Sequence, residues 1–199
     1  MSENILTKEI VLQLMGNQTT APTDFEMYQK IEDDAAESLS NWKSERIDNK
    51  HRIYHAGTRC IYLGITELSD VAAESLSKYK GEVLFFGGLT EITDAAAESL
   101  SKYQGALSLG GLRLLSDAAA ESLSKHQGRL HLKISELSDA AVEYLSKHQG
   151  GLSLTGLRLL SDTAAESLSR HQGHLSLGFH FVPGKNHCAQ YLGTGLFKQ

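Results

Sequence analysis

Short stretches of alternating hydrophobic and polar residues recur along this chain, and each leads into a small amphipathic segment. In Leu107-Ser108-Leu109 the two leucines would share one face of a β-strand, because strand side chains alternate between faces. The segment from Ala118 to Lys125 consists mostly of good helix formers, and Ser116 or Asp117 could cap its first turn. Gly128 is typical of a helix C-terminal end. The pattern therefore predicts a unit of strand, loop, short helix and turn.

The same unit occurs repeatedly. A string close to Ser-Asp-Ala-Ala-Ala-Glu-Ser-Leu-Ser-Lys recurs after a degenerate copy that begins at Asp33. The aspartates of the five clear copies are Asp70, Asp94, Asp117, Asp139 and Asp162, so the intervals are 24, 23, 22 and 23 residues. A period in the low twenties is typical of solenoids, whose repeats bury their apolar faces only by stacking on neighbours.

Stacking makes a definite prediction about register. The first inward strand residues should lie on adjacent parallel strands: Ile61, Leu84, Leu107, Leu130, Leu152 and Leu175. The inward helix residues, Ala119, Ala120 and Leu123 in one repeat, would let each helix sit close to the sheet. The expected fold is α/β: a solenoid with a parallel sheet on its concave side and short helices on its convex side, capped at both ends.

We expect one solenoid domain over residues 1–199. Residues 1–42 would form an N-terminal cap and a partial repeat, with an amphipathic helix over 4–15 whose apolar stripe includes Ile5, Ile10 and Leu14. A charged insert follows at 43–57, the repeats occupy 58–178, and residues 179–199 form a C-terminal cap.

The line Leu-x-Leu-x-Gly-Leu-x-x-Leu-Ser-Asp-x-Ala-Ala-x-x-Leu, at 107–123 and 152–168, resembles a leucine-rich repeat, and most closely its bacterial and cysteine-containing variants. The chain is similar to uncharacterised bacterial proteins built from such repeats. The resemblance implies the fold and is nearly silent on function. Typical repeats carry an Asn after the strand, whereas this chain has Ile65, Leu89, Leu112, Ile134 and Leu157 there, so its loop backbone must be hydrogen-bonded in another way.

Composition narrows the function classes. The net charge is -5, which argues against a general nucleic-acid binder. The first residues lack the pattern of a signal peptide, and there is no apolar run long enough for a membrane span. Cys60 and Cys188 lie five repeats apart, so we expect no disulfide between them. These features favour a cytoplasmic protein, with no membrane association and no cofactor, and we expect a monomer.

The strand residues that face away from the core would form the concave surface. Its central column reads Tyr62, Phe85, Ser108, His131, Ser153 and Ser176. Tyr62 and Phe85 could anchor a protein partner, or they could pack under the insert at 43–57. Arg129, His131 and Lys133 could bind a carboxylate or phosphate, or they could be a solvated charged strand. The predicted partner-binding residues are Tyr62, Phe85, Ser108, Arg129, His131, Lys133 and Ser153.

A second column follows the helices: Trp42, Tyr79, Tyr103, His126, His148 and His171. Helices packed about 8–10 Å apart would keep these histidines from sharing a metal ion, so an aromatic ladder is the favoured interpretation. His187, Cys188 and nearby His180 lack the spacing of a metal or thiol site.

The sequence has no phosphate loop, nucleophile elbow, paired HExxH histidines or EF-hand pattern, and the acidic residues recur at N-cap and outer-face positions, which argues against any one of them as a catalyst. The sequence therefore predicts a non-catalytic protein-interaction scaffold without catalytic or metal residues. Two alternatives stay open: anion or nucleic-acid binding through the basic insert and the Arg129/His131/Lys133 strand, and a metal-dependent enzyme at the C-terminal histidines.

Overall fold

The computed structural model of the protein describes residues 4–16, 25–42 and 60–178. The charged insert predicted at 43–57 and the C-terminal cap predicted at 179–199, with His180, His187 and Cys188, lie outside the described residues. The fold below is therefore that of the repeat array and of two short segments that precede it.

Strands and helices alternate throughout the described part of the chain. The elements are β1 (Ile5–Leu6), α1 (Lys8–Gly16), β2 (Lys30–Ile31), α2 (Asp33–Ser40), β3 (Cys60–Leu63), α3 (Asp70–Ser77), β4 (Val83–Phe86), α4 (Asp94–Ser101), β5 (Ala106–Leu109), α5 (Asp117–Ser124), β6 (Leu130–Leu132), α6 (Asp139–Ser146), β7 (Leu152–Thr155), α7 (Asp162–Ser169) and β8 (Leu175–Gly178). Strands β3 to β8 form a six-stranded parallel sheet in chain order, and β1 pairs with β2 in a second parallel sheet. This is a repeated α/β unit of the solenoid type.

The predicted register is confirmed at every strand of the larger sheet. Ile61 pairs with Leu84, Leu84 with Leu107, and so on through Leu130 and Leu152 to Leu175. The inward alanines and leucines of helices α2 to α7 are buried as well. One continuous hydrophobic core therefore runs along the array between the sheet and the helix layer.

The aliphatic column that replaces the usual Asn lies inside this core. Ile65, Leu89, Leu112, Ile134 and Leu157 are all buried. Main-chain hydrogen bonds between neighbouring repeats continue past the strands instead, for example from the Arg113 N–H to the Thr90 carbonyl (2.9 Å) and from the Arg158 N–H to the Ser135 carbonyl (3.1 Å). Backbone pairing thus replaces the amide side chain, and the loops keep the repeat period.

A row of side-chain hydrogen bonds joins the N-termini of neighbouring helices. The hydroxyl of each N-cap residue accepts a hydrogen bond from the third residue of its helix, as Ser116 does from the Ala119 N–H, and it donates to the aspartate that opens the preceding helix. The donor–acceptor pairs are Ser69–Asp33, Thr93–Asp70, Ser116–Asp94, Ser138–Asp117 and Ser161–Asp139. The Ser-Asp dipeptide therefore both caps a helix and links it to its two neighbours.

The N-terminal segment differs from the predicted helix over 4–15. Residues Ile5–Leu6 form a short strand paired with Lys30–Ile31, and the helix begins only at Lys8. Ile5 is exposed, whereas Leu6 and Val11 are buried. The apolar stripe of the prediction was therefore wrong at Ile5, because pairing with a neighbouring strand overrides the local helical pattern.

Close approach between turns requires glycine after each helix. A Cβ atom built on Gly150 would stand 2.2 Å from the Gly128 carbonyl oxygen and 2.8 Å from His148 Nε2. Gly128 and Gly173 have equally close neighbours in the preceding turn. These glycines set how tightly successive repeats can stack.

We expect Gly150→Ala to destabilise the protein by about 1–3 kcal/mol, because the added methyl group must push two turns apart. Urea unfolding followed by circular dichroism measures this change. The neighbouring Gly151→Ala is the matched control: its Cβ would meet nothing closer than 3.6 Å, so its effect should stay within about 0.5 kcal/mol. Equal effects of the two variants would contradict the stacking role of Gly150.

Candidate binding face

The sheet side chains that point away from the helices form a surface that we call the open sheet face. It consists of the predicted central column and the columns on either side. These are Cys60, Val83, Ala106, Arg129, Gly151 and His174; Tyr62, Phe85, Ser108, His131, Ser153 and Ser176; and Gly64, Gly87, Gly110, Lys133, Thr155 and Gly178. The central column is in register from end to end, so the parallel sheet brings these separated residues side by side.

One end of the open sheet face is apolar. Cys60, Tyr62 and Val83 are buried in a small cluster on which Phe85 and Ala106 pack. The Tyr62 and Phe85 rings lie 5.5 Å apart. Tyr62 is only 8 % exposed, whereas Phe85 is partly exposed. Of the two predicted aromatic anchors, Phe85 therefore has the ring surface that another molecule could reach.

The Cys60 thiol belongs to the packing of this end. Burial raises its pKa, a hydrogen bond with Tyr62 acts in the opposite direction, and the Glu82 carboxylate raises the pKa further. A thiol with a raised pKa stays protonated at neutral pH and is a poor nucleophile. Cys60 thus behaves as a small apolar residue.

The middle of the open sheet face carries the predicted polar residues. His131 lies in β6, and Arg129 and Lys133 flank that three-residue strand on either side. Both flanking cations are exposed, and the His131 ring is partly buried. His131 Nδ1 lies 3.0 Å from Ser153 Oγ on the neighbouring strand. Sequence reasoning placed these residues together but did not anticipate the hydrogen bond, which follows from the register of β6 and β7.

Burial lowers the pKa of His131, and the positive charge of Lys133 lowers it further. The ring is therefore neutral at pH 7 and can either donate to Ser153 or accept from it. Ser108, the in-register neighbour on the other side, is buried. Together these residues form a polar strip next to the apolar end, and the strip can offer hydrogen bonds and positive charge.

The predicted aromatic ladder, formed by residues that follow the helix C-termini, is confirmed. Rings of Tyr79, Tyr103, His126, His148 and His171 stack in that order, with centroids 6.0–6.4 Å apart and planes within 16° of each other. Trp42, predicted to belong to this column, packs edge-on against Phe25. In the described ranges there is no group of three or more His, Cys, Asp or Glu placed to hold a metal ion.

Ladder histidines face main-chain carbonyl groups of the preceding repeat. His148 Nε2 lies 3.0 Å from the Gly128 oxygen, and His171 Nδ1 lies 3.2 Å from the Ser146 oxygen. Burial lowers the pKa of both His126 and His148, and the nearby backbone carbonyls act in the opposite direction. These two rings are therefore neutral in the folded protein at neutral pH.

We expect acid to weaken the folded state through these rings. The unfolded chain binds protons with a histidine pKa of about 6.5, and the folded pKa of His126 and His148 is lower. The unfolded state thus holds more protons, and the free energy of unfolding should fall as the pH drops below about 6.5, by up to roughly 1.4 kcal/mol per pH unit for each ring. Urea unfolding at a series of pH values measures the slope.

The matched variant replaces both histidines by tyrosine, which already occupies the ladder at Tyr79 and Tyr103. His126→Tyr/His148→Tyr should stack in the same ladder but unfold with a shallower pH dependence between pH 7.5 and 5.5. An unchanged slope would contradict the assignment, whatever the absolute stability of the variant.

Comparisons with known proteins add nothing to this description of the site. Among the described residues, none of the helices has both the length and the apolar composition needed to cross a lipid bilayer. No protein-family model, no curated protein and no solved structure matches this chain.

Proposed function

We propose that this chain is a non-catalytic scaffold that holds a protein partner on its open sheet face. One observation carries the proposal: the repeats are nearly identical where they build the fold and different where they face outward on the sheet. Helices α4 and α5 have the same sequence, and α3 and α7 differ from them at one position each. The central column, in contrast, changes from aromatic to Ser and His.

Physical reasons support a binding role for such a surface. Parallel strands fixed in register by a continuous core hold the outward side chains in place before a partner arrives, and preorganisation lowers the entropic cost of association. The resemblance to leucine-rich repeats points in the same direction by analogy of fold alone. Within this proposal the array is a leucine-rich-repeat-like solenoid with capping segments, and it works as a cytoplasmic protein.

The main rival from another class is a hydrolase that uses Ser153 and His131. Their 3.0 Å separation is that of a nucleophile and its base. Such a pair also needs a group that orients the base, and the charge next to His131 is that of Lys133, which disfavours the imidazolium that a base must become. Gly110 flanks the other ring nitrogen and offers no side chain. The arrangement therefore supports binding better than catalysis.

The proposal is tested by site-specific photocrosslinking in the full-length protein. A photoreactive amino acid replaces Ser153 on the open sheet face or, as the control, Ser122 on the helix layer, and each protein is irradiated in lysate of cells that naturally make it. We expect discrete protein adducts from position 153, identified by mass spectrometry, and fewer from position 122.

Competition with proteins that lack the photoreactive residue shows which side chains the adducts depend on. Excess wild-type protein should suppress the adducts at position 153, whereas Phe85→Ala and Arg129→Glu competitors should suppress them less. Adducts that form equally from both positions, or that both variants suppress as well as wild type does, would show that the open sheet face is not the binding surface.

A further inference from the structure

The open sheet face carries no negative side chain. None of the residues in its three columns is Asp or Glu, although the chain has 24 acidic residues against 19 Lys and Arg. The repeat aspartates open the helices, and the repeat glutamates lie on the helices or in the loops that precede them. The Glu82 carboxylate, which directly precedes β4 at the apolar end, acts on the Cys60 thiol of the face but is not itself part of the three columns. Charge is thus sorted by surface in a protein that is acidic as a whole.

The cations of the two surfaces also differ in their pairing. The basic C-cap residue of each helix from α3 to α7 pairs with a glutamate four residues earlier in that helix: Lys78 with Glu74, Lys102 with Glu98, Lys125 with Glu121, Lys147 with Glu143 and Arg170 with Glu166. Arg129 and Lys133 make no ion pair within the described residues. Their charge is consequently available to an incoming carboxylate.

His131 can add a third positive charge between them. No titratable side chain faces it from β5, where its neighbours are Ser108 and Gly110, or from β7, where they are Ser153 and Thr155. The charged groups nearest it along its own chain are Arg129 and Lys133. A carboxylate that settles between these cations would favour the protonated ring, so binding would take up a proton.

The spacing of the face fits an extended segment. Adjacent strands lie about 4.8 Å apart, so the two steps from Phe85 through Ser108 to His131 span about 10 Å. An extended peptide covers this distance in about three residues. Gly110 and Gly151, which flank His131 and Arg129, have no side chains to obstruct a backbone that crosses the sheet here.

We propose that the segment bound on the open sheet face is an extended acidic peptide, with carboxylates at Arg129, His131 and Lys133 and an apolar side chain about three residues away on Phe85 and Ala106. This inference rests on the proposed function and specifies the partner's chemistry. Charge complementarity favours it over an apolar or basic partner.

The test is a selection of random displayed peptides on the immobilised full-length protein at low salt, near pH 6. Selected peptides should be enriched in Asp and Glu, with an apolar residue about three positions from an acidic one. The selected peptides, synthesised chemically, should bind the Arg129→Glu/Lys133→Glu variant at least about tenfold more weakly than they bind wild type. The matched control, Lys102→Glu/Lys125→Glu on the helix layer, changes the net charge equally and should retain wild-type affinity.

Two further variants separate the claims. His131→Gln should lose the gain in affinity that wild type shows between pH 7.5 and pH 6, whatever the affinity of the variant at pH 7.5. Ser153→Trp should block the face and abolish binding, whereas Ser122→Trp on the helix layer should not; circular dichroism verifies that both variants are folded.

Contrary outcomes are distinguishable. Peptides that Ser153→Trp blocks but that lack acidic enrichment would overturn the acidic partner and leave the proposed function standing. A selection that yields no peptide blocked by Ser153→Trp would count against both the acidic partner and the proposed function. A labelled single-stranded oligonucleotide that binds wild type, loses binding with the Arg129/Lys133 reversal and outcompetes every acidic peptide would overturn the acidic peptide in favour of a nucleic acid.

Discussion

Backbone contact between successive turns is the constraint on which this structure depends. Where one helix ends and the next strand begins, a carbonyl oxygen of the preceding repeat occupies the space that a Cβ would need, so Gly128, Gly150 and Gly173 are the residues that fit. Close stacking there puts the strands in register, brings each N-cap hydroxyl within reach of the previous aspartate and sets the ring spacing of the ladder. Because every repeat meets only its neighbours, stability accumulates along the array one interface at a time.

The three surfaces of the array use polar residues in different ways. On the helix layer, the cation that follows each of helices α3 to α7 is paired with a glutamate of that helix, so that the pair recurs with little variation from repeat to repeat. In the aromatic ladder, buried histidines replace tyrosines. Burial keeps the His148 ring neutral although its Nε2 faces the Gly128 carbonyl, and it makes the fold sensitive to acid. The open sheet face is free of these structural duties. Its central column changes from aromatic residues to Ser and His between repeats while the strands keep their register.

Much of the fold could be predicted because its signals are local and periodic. The register from Ile61 to Leu175, the burial of the helix alanines and the stacked column from Tyr79 to His171 all follow once the period is recognised. The N-terminal helix was wrong at its start, because strand pairing of Ile5–Leu6 with Lys30–Ile31 is a non-local contact that no helical pattern reveals. The link from Ser138 to Asp117 was missed for the same reason. Ser-Asp is a familiar helix cap, and its second role appears only when two repeats are placed side by side.

The candidate site shows the same division. By itself the sequence determined which residues share the open sheet face, since strand alternation and a regular period leave Phe85, Ser108 and His131 no other neighbours. Only the tertiary structure decided what those residues can do. Burial hides most of Tyr62, and the register of β6 and β7 couples His131 to Ser153. Arg129 and Lys133 are exposed and have no ion pair among the described residues, whereas the cations that follow helices α3 to α7 are each paired with a glutamate of the same helix. Exposure and pairing depend on what packs around a side chain, and that is a property of the assembled array that the order of residues in one repeat does not contain.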